Sequence, residues 1–469
     1  MRIALVSLGL LLFVTGCGGN PLGGGGADLG GPPVVVGGAD MAPPGKVAGD
    51  FVSYAGATTD GYAVVSDRAG SAWAIRLADG SQQKIVDHAV SFLPYLDVVF
   101  VVSDVVNGYG RLSLWRAGTA VELAASSPDS SFGFSPPTRD DAGHIAYYGN
   151  GANGTSDLIV DKIDHSAPRV LLSGIDLTNT SRCWPALRFF GGRLLVSHCN
   201  DPSGSAWTLS SFDPDSGASV DLASPSQKFF TVDAKAGLFV TSPTGTVSLV
   251  DPRGGPLRHF ADNVRHLRLI NGGATALVTT LSGALQRVAV ADGSVTVLQP
   301  SGVDRVDSLS GDEQTLLLTT QQSPTTFLND LYLASATQAG PRTTLNSALT
   351  SFSTGYGFTD DSSWALYLVD TDSTTDAGAL RARPASGGAE RALGQGSQLV
   401  APMGGARLAF GQQYDAASNL TDISFVDLAR NDPPTLLAKR AWWWFDVGTD
   451  NRTVIWLVPG DGLYIHAVP

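Results

Sequence analysis

The chain of 469 residues is poor in charge, in cysteine and in methionine. Asp, Glu, Lys and Arg make up 16% of it, and it contains only three cysteines and three methionines. Acidic residues outnumber basic ones by 43 to 30, so the net charge is −13. A surface of that sign repels polyanions. The sequence therefore predicts no nucleic-acid partner and no basic patch for binding a membrane surface.

A transmembrane run and a catalytic motif are also missing. After the N-terminal segment, no stretch approaches the roughly 20 apolar residues that a membrane-spanning helix needs. No Gly-x-Ser-x-Gly, His-Glu-x-x-His, phosphate-loop or dinucleotide motif occurs. Among the seven histidines only His259 and His266 lie near each other, and neither adjoins an acidic pair. We therefore predict no cofactor and favour a non-catalytic protein, while a site assembled from distant segments stays open.

The N-terminus has a pattern of its own. Met1-Arg2 places a positive charge before the apolar run Ile3–Val14, which is the layout of a secretory signal peptide. The run ends in Val14-Thr15-Gly16-Cys17, which resembles the lipobox of bacterial lipoproteins. The resemblance implies that Cys17 is acylated, with palmitate among its acyl chains, and holds the protein on a membrane that it does not cross. The alternative is an ordinary signal peptide, residues 1–17, in which Cys17 is incidental.

The residues after Cys17 indicate the membrane and the domain boundary. Lipoproteins retained at the inner membrane of proteobacteria usually carry Asp where this chain has Gly18. The resemblance thus favours the outer membrane over the inner one. Residues 18–45 are rich in Gly and Pro and almost uncharged, so we predict a disordered tether with a span of roughly 30 Å. Residues 46–469 remain for a folded domain.

A four-strand unit organises this domain, and the stretch from Val303 to Ala348 shows it most clearly. Its apolar runs are Val303–Leu309, Thr315–Thr320, Asp330–Ala334 and Arg342–Leu345. Each run is too short for a helix and is bounded by Gly, Pro, Asp or Ser. The stretch therefore predicts four strands joined by turns.

The unit recurs ten times, and its second strand is the most apolar. These second strands are Tyr62–Ser66, Val98–Ser103, His144–Tyr148, Arg193–Ser197, Leu238–Ser242, Thr275–Thr279, Thr315–Thr320, Trp364–Val369, Arg407–Phe410 and Thr453–Val458. A spacing of about 43 residues is typical of propeller blades. We therefore predict an all-β fold, a β-propeller built from four-stranded antiparallel blades. Ten exceeds the usual count of about four to eight blades, so one large ring, two smaller rings and a true count that is one or two units lower all stay open.

The tenth unit stops after its third strand, Leu463–Val468. A propeller commonly closes when the other terminus supplies the missing strand, which covers an exposed sheet edge. We expect that strand to be Val34–Val36 or the segment around Val47.

Two units resemble the TolB-type propeller repeat, in which a Ser-Pro-Asp-Gly turn precedes an apolar strand. They are the stretches Phe134–Tyr147 and Leu309–Leu316. Turns such as Ala78-Asp79-Gly80 and Ala291-Asp292-Gly293 are also similar to those of outer-membrane lipoprotein propellers that scaffold β-barrel assembly. These resemblances imply a fold and a cellular location but no particular site.

Cys183 and Cys199 flank a predicted hairpin that turns at Gly191-Gly192. A three-residue loop centred on Gly191 would place the two cysteines opposite each other, and in an oxidising compartment we expect a disulfide. A metal site that adds His198 and Asp201 is disfavoured, because neighbouring strand residues point to opposite faces.

The carboxylates of Asp370, Asp372 and Asp376 alternate as they do in calcium loops. An EF-type loop needs Gly at its sixth position and Glu at its twelfth, where this chain has Thr375 and Arg381. These aspartates are thus a weak calcium candidate, and a solvated turn is the default. No metal site is predicted.

Trp442, Trp443 and Trp444 form the densest aromatic run in the chain. On a strand, Trp442 and Trp444 would share one face, so at least one ring set must pack between blades. Core packing is favoured, and a stacking surface for sugar rings or an apolar partner is the alternative.

Taken together, these patterns predict a lipid-anchored, non-catalytic scaffold that binds proteins of the bacterial cell envelope. The alternative is an extracytoplasmic propeller that binds or processes glycans, with Trp442–Trp444 as its platform. Function would then lie in the connections between blades rather than in the strands.

Overall fold

A computed structural model describes residues 45–49, 51–129, 137–152, 154–176, 186–199, 207–226, 230–233, 237–242, 244–321, 329–349, 355–372, 375, 377–430, 432–448 and 450–468. These residues form forty β-strands and a single 3-10 turn at Asn271–Gly273. This part of the chain includes no helix with the length and apolar character that crossing a membrane requires.

In chain order the first twenty strands are β1 (Gly45–Gly49), β2 (Phe51–Ala57), β3 (Tyr62–Asp67), β4 (Ala72–Arg76), β5 (Gln82–Val86), β6 (Ala89–Tyr95), β7 (Val98–Val106), β8 (Tyr109–Arg116), β9 (Thr119–Pro128), β10 (Thr138–Arg139), β11 (His144–Ala152), β12 (Thr155–Lys162), β13 (Arg169–Asp176), β14 (Ala186–Phe190), β15 (Arg193–Cys199), β16 (Trp207–Phe212), β17 (Ser219–Ser226), β18 (Phe230–Asp233), β19 (Gly237–Thr241) and β20 (Val247–Val250).

The second twenty are β21 (Arg258–Ala261), β22 (Val264–Ile270), β23 (Thr275–Thr280), β24 (Leu285–Ala289), β25 (Val295–Gln299), β26 (Arg305–Leu309), β27 (Thr315–Gln321), β28 (Asn329–Ser335), β29 (Thr343–Leu349), β30 (Gly355–Phe358), β31 (Trp364–Val369), β32 (Gly378–Pro384), β33 (Arg391–Ser397), β34 (Val400–Pro402), β35 (Arg407–Asp415), β36 (Leu420–Asp427), β37 (Thr435–Trp442), β38 (Phe445–Val447), β39 (Thr453–Val458) and β40 (Gly462–Ala467).

The strands form ten antiparallel sheets of four, each an up-and-down meander. Blade 1 is β2–β5, blade 2 is β6–β9, and the count continues in fours to blade 9, β34–β37. The predicted all-β propeller of four-stranded blades is therefore confirmed, including the count of ten. The unit from Val303 to Ala348 is blade 7.

Blade 10 is completed from the other end of the chain. Its strand order is β1-β40-β39-β38, with Gly45 opposite Ile465 and Gly49 opposite Gly462. The expectation that the segment around Val47 closes the ring is confirmed. The other candidate, Val34–Val36, lies outside the described residues.

Ten hydrophobic clusters lie between neighbouring blades, one at each seam. The cluster between blades 10 and 1 joins Phe51 and Ile75 to Ile455 and Leu457. Because that seam is packed like the other nine, the blades form one closed ring, and two smaller rings are excluded.

Burial on both faces explains why the second strands are the most apolar. In β7 the first six residues, Val98–Ser103, are all buried, and their side chains point alternately toward the two flanking blades. A strand covered on both faces needs a continuous apolar run rather than an alternating one. The continuous apolar run of each second strand therefore identified the blades in the sequence, and its buried side chains pack neighbouring blades together.

The ring has two faces, which its connections define. First strands of neighbouring blades contact each other, as β2 does with β6 and β26 with β30, so the first strands are innermost. Turns between second and third strands lie on one face with the connections between blades, and we call it the crossover face. The other turns lie on the N-terminal face, where β1 begins.

Candidate functional site

The tryptophan run lies where the ring closes. Trp442 ends β37 opposite Leu420, and the next two residues form the connection from blade 9 to blade 10 on the crossover face. Trp442 and Trp444 pack against the cluster at the seam between blades 10 and 1. Trp443 meets Trp444 edge to face, with 5.4 Å between ring centroids and planes 82° apart. All three rings are half-buried.

Asp446 lies just beyond these rings on the innermost strand β38. Its Oδ2 accepts a hydrogen bond from the Tyr54 hydroxyl at 2.7 Å and another from the Ala57 backbone N–H at 3.1 Å, both on β2. The Trp444 side chain donates a third. One carboxylate therefore ties the last blade, the connection before it and the first blade together.

Burial governs the proton affinity of this group. It raises the pKa of Asp446, and the hydrogen bonds from Tyr54, Ala57 and Trp444 oppose that shift without cancelling it. Burial and the neighbouring carboxylate also hold the pKa of Tyr54 well above its usual value. Tyr54 is only 4% exposed and Asp446 is partly buried, so this hydrogen-bonded pair links β2 to β38 across the closing seam.

The hairpin between the two cysteines has a different turn from the one assumed in the sequence analysis. Gly191 and Gly192 form a two-residue turn with φ values of +56° and +74°, which glycine adopts without strain. Phe190 therefore pairs with Arg193, and the register differs by one residue from that which sets Cys183 against Cys199. That predicted register is wrong. Cys183 lies outside the described residues, so the disulfide itself stays a prediction.

The calcium candidates lie in the turn between the second and third strands of blade 8, on the crossover face. Asp370 and Asp372 are exposed, and Asp372 Oδ1 accepts the Thr375 N–H at 3.1 Å, closing its own turn. Asp376 lies outside the described residues, as does Cys17. Across the described ranges, no group of three or more His, Cys, Asp or Glu side chains is placed to hold a metal ion.

A network around the buried side chain of His144 links blades 3 and 4 and was missed in the sequence analysis. His144 Nδ1 lies 2.8 Å from Asp140 Oδ2, while Nε2 lies 3.1 Å from Asp215 Oδ1 and 2.5 Å from Lys162 Nζ. The spacing of Asp140 and His144, four residues apart across a turn, was a usable signal. Asp215 comes from the neighbouring blade and could not be foreseen. Since both ring nitrogens are occupied, His144 fastens a seam and offers no open position to a substrate.

The signal for Asp446 was a single acid within an otherwise apolar run, Trp-Trp-Trp-Phe-Asp-Val. A lone carboxylate in such a run is expected to need buried donors. Its partner Tyr54 lies 392 residues away, so only the closed ring reveals the pair.

Comparison with known proteins yields a likeness of fold. No protein-family model matches the sequence, and neither does any curated protein. Solved structures that resemble the ring include a eukaryotic initiation factor, 10% identical with a TM-score of 0.48 over 73% of this chain and 87% of that one. BamB from Moraxella catarrhalis is 16% identical with a TM-score of 0.33 over 57% of this chain and 83% of that one.

The tricorn protease also resembles the ring, with 9% identity and a TM-score of 0.31 over 89% of this chain. The match covers 61% of the protease chain, less than two thirds of its length. At these identities the likeness concerns the fold alone.

Proposed function

We propose that the protein is a lipoprotein scaffold of the bacterial cell envelope, anchored through Cys17 and binding other envelope proteins with the crossover face of its propeller. The outer membrane is the proposed location. The main support for this proposal is the position at which the N-terminal part of the chain enters the ring.

The closing strand follows directly on the Gly- and Pro-rich segment. It begins at Gly45 near Ile465, on the N-terminal face, and runs toward the crossover face, where Gly49 meets Gly462. A tether ending at Gly45 therefore leaves from the outer edge of blade 10 on the N-terminal face. The crossover face then points away from the membrane and is free for a partner.

Rigidity is the second support. Each seam is filled by a buried apolar cluster, and the closing seam adds the carboxylate of Asp446. A closed ring of this kind holds its connecting loops in fixed relative positions, which lowers the entropy lost when they bind a partner. That is what a scaffold surface needs.

Photo-crosslinking in cells tests this orientation with two matched positions in blade 2. Val106, 68% exposed, lies at the turn on the crossover face, and Leu96, 44% exposed, lies at the turn on the N-terminal face. A photoreactive residue at 106 is expected to capture an envelope protein, and one at 96 is not. The Cys17→Ser variant should leave the membrane fraction and lose incorporated palmitate. Equal capture from both positions, or a membrane-bound Cys17→Ser protein, would contradict the proposal.

Glycan binding is a second candidate, favoured by the surroundings of Trp443. Its backbone N–H donates to Asn419 O at 3.0 Å, and Asn419 Oδ1 accepts the Tyr414 hydroxyl at 2.8 Å. A half-exposed indole beside amide and hydroxyl groups suits the apolar face and polar rim of a sugar ring.

Polysaccharide pull-down separates the two candidates. If glycan binding is the function, the intact protein retains a glycan and Trp443→Ala releases it, because the stacking ring is gone. Trp73→Ala is the matched control, because it removes another half-buried indole, in blade 1. The Nε1–H of Trp73 donates a hydrogen bond to Asp67 Oδ2 at 2.9 Å. An intact protein that retains no polysaccharide, or equal loss in both variants, would remove this candidate.

A further inference from the structure

Basic side chains on the innermost strands are confined to one arc of the ring. Among the described inner strands they occur in blades 3, 4, 6 and 7, and they are Arg139, Arg188, Arg265, His266, Arg268 and Arg305. The inner strands of blades 8, 9, 10, 1 and 2, and that of blade 5 within the arc, carry none in their described residues. In a chain of net charge −13, this arc is locally enriched in basic side chains.

Two of these side chains project from one face of β22. His266 and Arg268 are two residues apart, and both are exposed. The charges that act on His266 are Asp304, Arg265 and Arg305, and the charge that acts on Arg268 is Glu313. Asp304, Arg305 and Glu313 belong to blade 7 or its approach, so both side chains face the seam between blades 6 and 7.

The acids near this seam are already engaged. Arg265 pairs with Asp304, and Arg305 pairs with Asp307 through its Nε. Glu313 Oε2 accepts the backbone N–H of Asn271 at 2.6 Å. Each of these three carboxylates therefore already has a partner, and only the charge of Glu313 acts on Arg268.

The basic side chains of His266, Arg268 and Arg305, by contrast, have N–H groups that donate no hydrogen bond to the described residues. Neither the His266 imidazole nor the Arg268 guanidinium makes a hydrogen bond or an ion pair with any residue of the described ranges. Arg305 Nη2 is buried there without a hydrogen-bond partner as well. A buried donor of this kind is costly unless something accepts from it. Partial desolvation of their charged groups lowers the pKa of both His266 and Arg268, and the carboxylates of Asp304 and Glu313 oppose these shifts without cancelling them.

We propose that His266, Arg268 and Arg305 form a binding site for a small oxyanion, of the sulfate or phosphate class, on the inner side of the seam between blades 6 and 7. The planar fork of a guanidinium matches two oxygens of such an anion. The anion would accept the hydrogen bonds that these side chains do not make within the described residues. This site is independent of the crossover face and of the lipid anchor.

Calorimetric titration of sulfate into the full-length protein at low ionic strength tests the site. We expect saturable binding that Arg268→Gln weakens at least about tenfold, because charge-assisted hydrogen bonds are lost. Arg76→Gln is the matched control. It removes the same charge from an exposed arginine of blade 1, whose Nη1 lies 3.5 Å from Asp79 Oδ2. This variant should bind sulfate as the wild-type protein does. Equal weakening in both variants, or no saturable binding, would overturn the proposal.

The pH dependence tests the part assigned to His266. Sulfate keeps its charge while the imidazole gains a proton, so binding should tighten as the pH falls from about 8 to about 5. Asp304 favours the protonated imidazole, whereas Arg265, Arg305 and burial oppose it. His266→Gln should bind sulfate with a flat pH profile. A flat profile in the wild-type protein would remove His266 from the site.

Discussion

Deleting Gly45–Gly49 from the full chain is expected to lower the free energy of unfolding by about 3 kcal/mol or more, because each hydrogen bond lost from the β1–β40 ladder costs about 1 kcal/mol. The deletion also uncovers the edge of β40 and removes Val47 from the closing cluster. The exposed salt bridge between Lys46 and Asp461 adds little. Thermal unfolding followed by circular dichroism measures the loss.

Deleting residues 40–44 is the matched control, since it removes five residues of the same chain segment and leaves β1 in place. This variant should unfold at the wild-type temperature. The deletion of β1 should in addition associate in solution, because the bare edge of β40 can pair with another strand. If both deletions unfold alike, β1 does not close the ring in solution.

Asp446→Ala is expected to lower the free energy of unfolding by about 3 kcal/mol, because three donors lose their acceptor and each buried unsatisfied group costs about 1–3 kcal/mol. Those donors are the Tyr54 hydroxyl, the Ala57 N–H and the Trp444 side chain. Denaturant unfolding at neutral pH measures the change. Asp446→Asn keeps an acceptor for Tyr54 and should cost clearly less than Asp446→Ala.

The difference in stability between the wild-type protein and Asp446→Asn should also depend on pH, with a sign that follows from the pKa shift of Asp446. The pKa of Asp446 is raised by burial, so the folded protein binds this proton more tightly than the unfolded chain does. Its contribution to stability is full below the unfolded pKa of about 3.9 and is lost as the pH rises through the folded pKa. Wild-type protein should therefore lose stability relative to Asp446→Asn as the pH rises above about 4. A constant difference between the two would mean that Asp446 is solvated.

Strand positions were predictable to within a few residues, because each blade repeats a local pattern of apolar runs and turns. Trp364–Val369 and Thr453–Val458 have the bounds that the sequence indicated. The hairpin at Gly191-Gly192 was misjudged by one residue, because two glycines are compatible with more than one turn. The register of this hairpin depends on whether one glycine or both have positive φ values, and here both Gly191 and Gly192 do.

The candidate sites were less predictable than the fold. The tryptophan run was visible as a pattern, but its neighbour Asp446 was not assigned a role. The basic pair of His266 and Arg268 follows the alternation of a strand, yet its meaning depends on the charges of the next blade. Such sites combine residues that approach only when blades pack together.

By itself the sequence determined the class of fold, the approximate number of blades and the approximate place of the closing strand. These follow from short-range periodicity, since a strand buried on both faces must be apolar throughout. Only the tertiary structure decided that the blades number ten and form one ring, at which face the N-terminal strand enters it, and that Tyr54 meets Asp446 across 392 residues. The physical reason is that the contacts between blades are set by packing of the whole ring, and a local pattern carries no record of its distant partner.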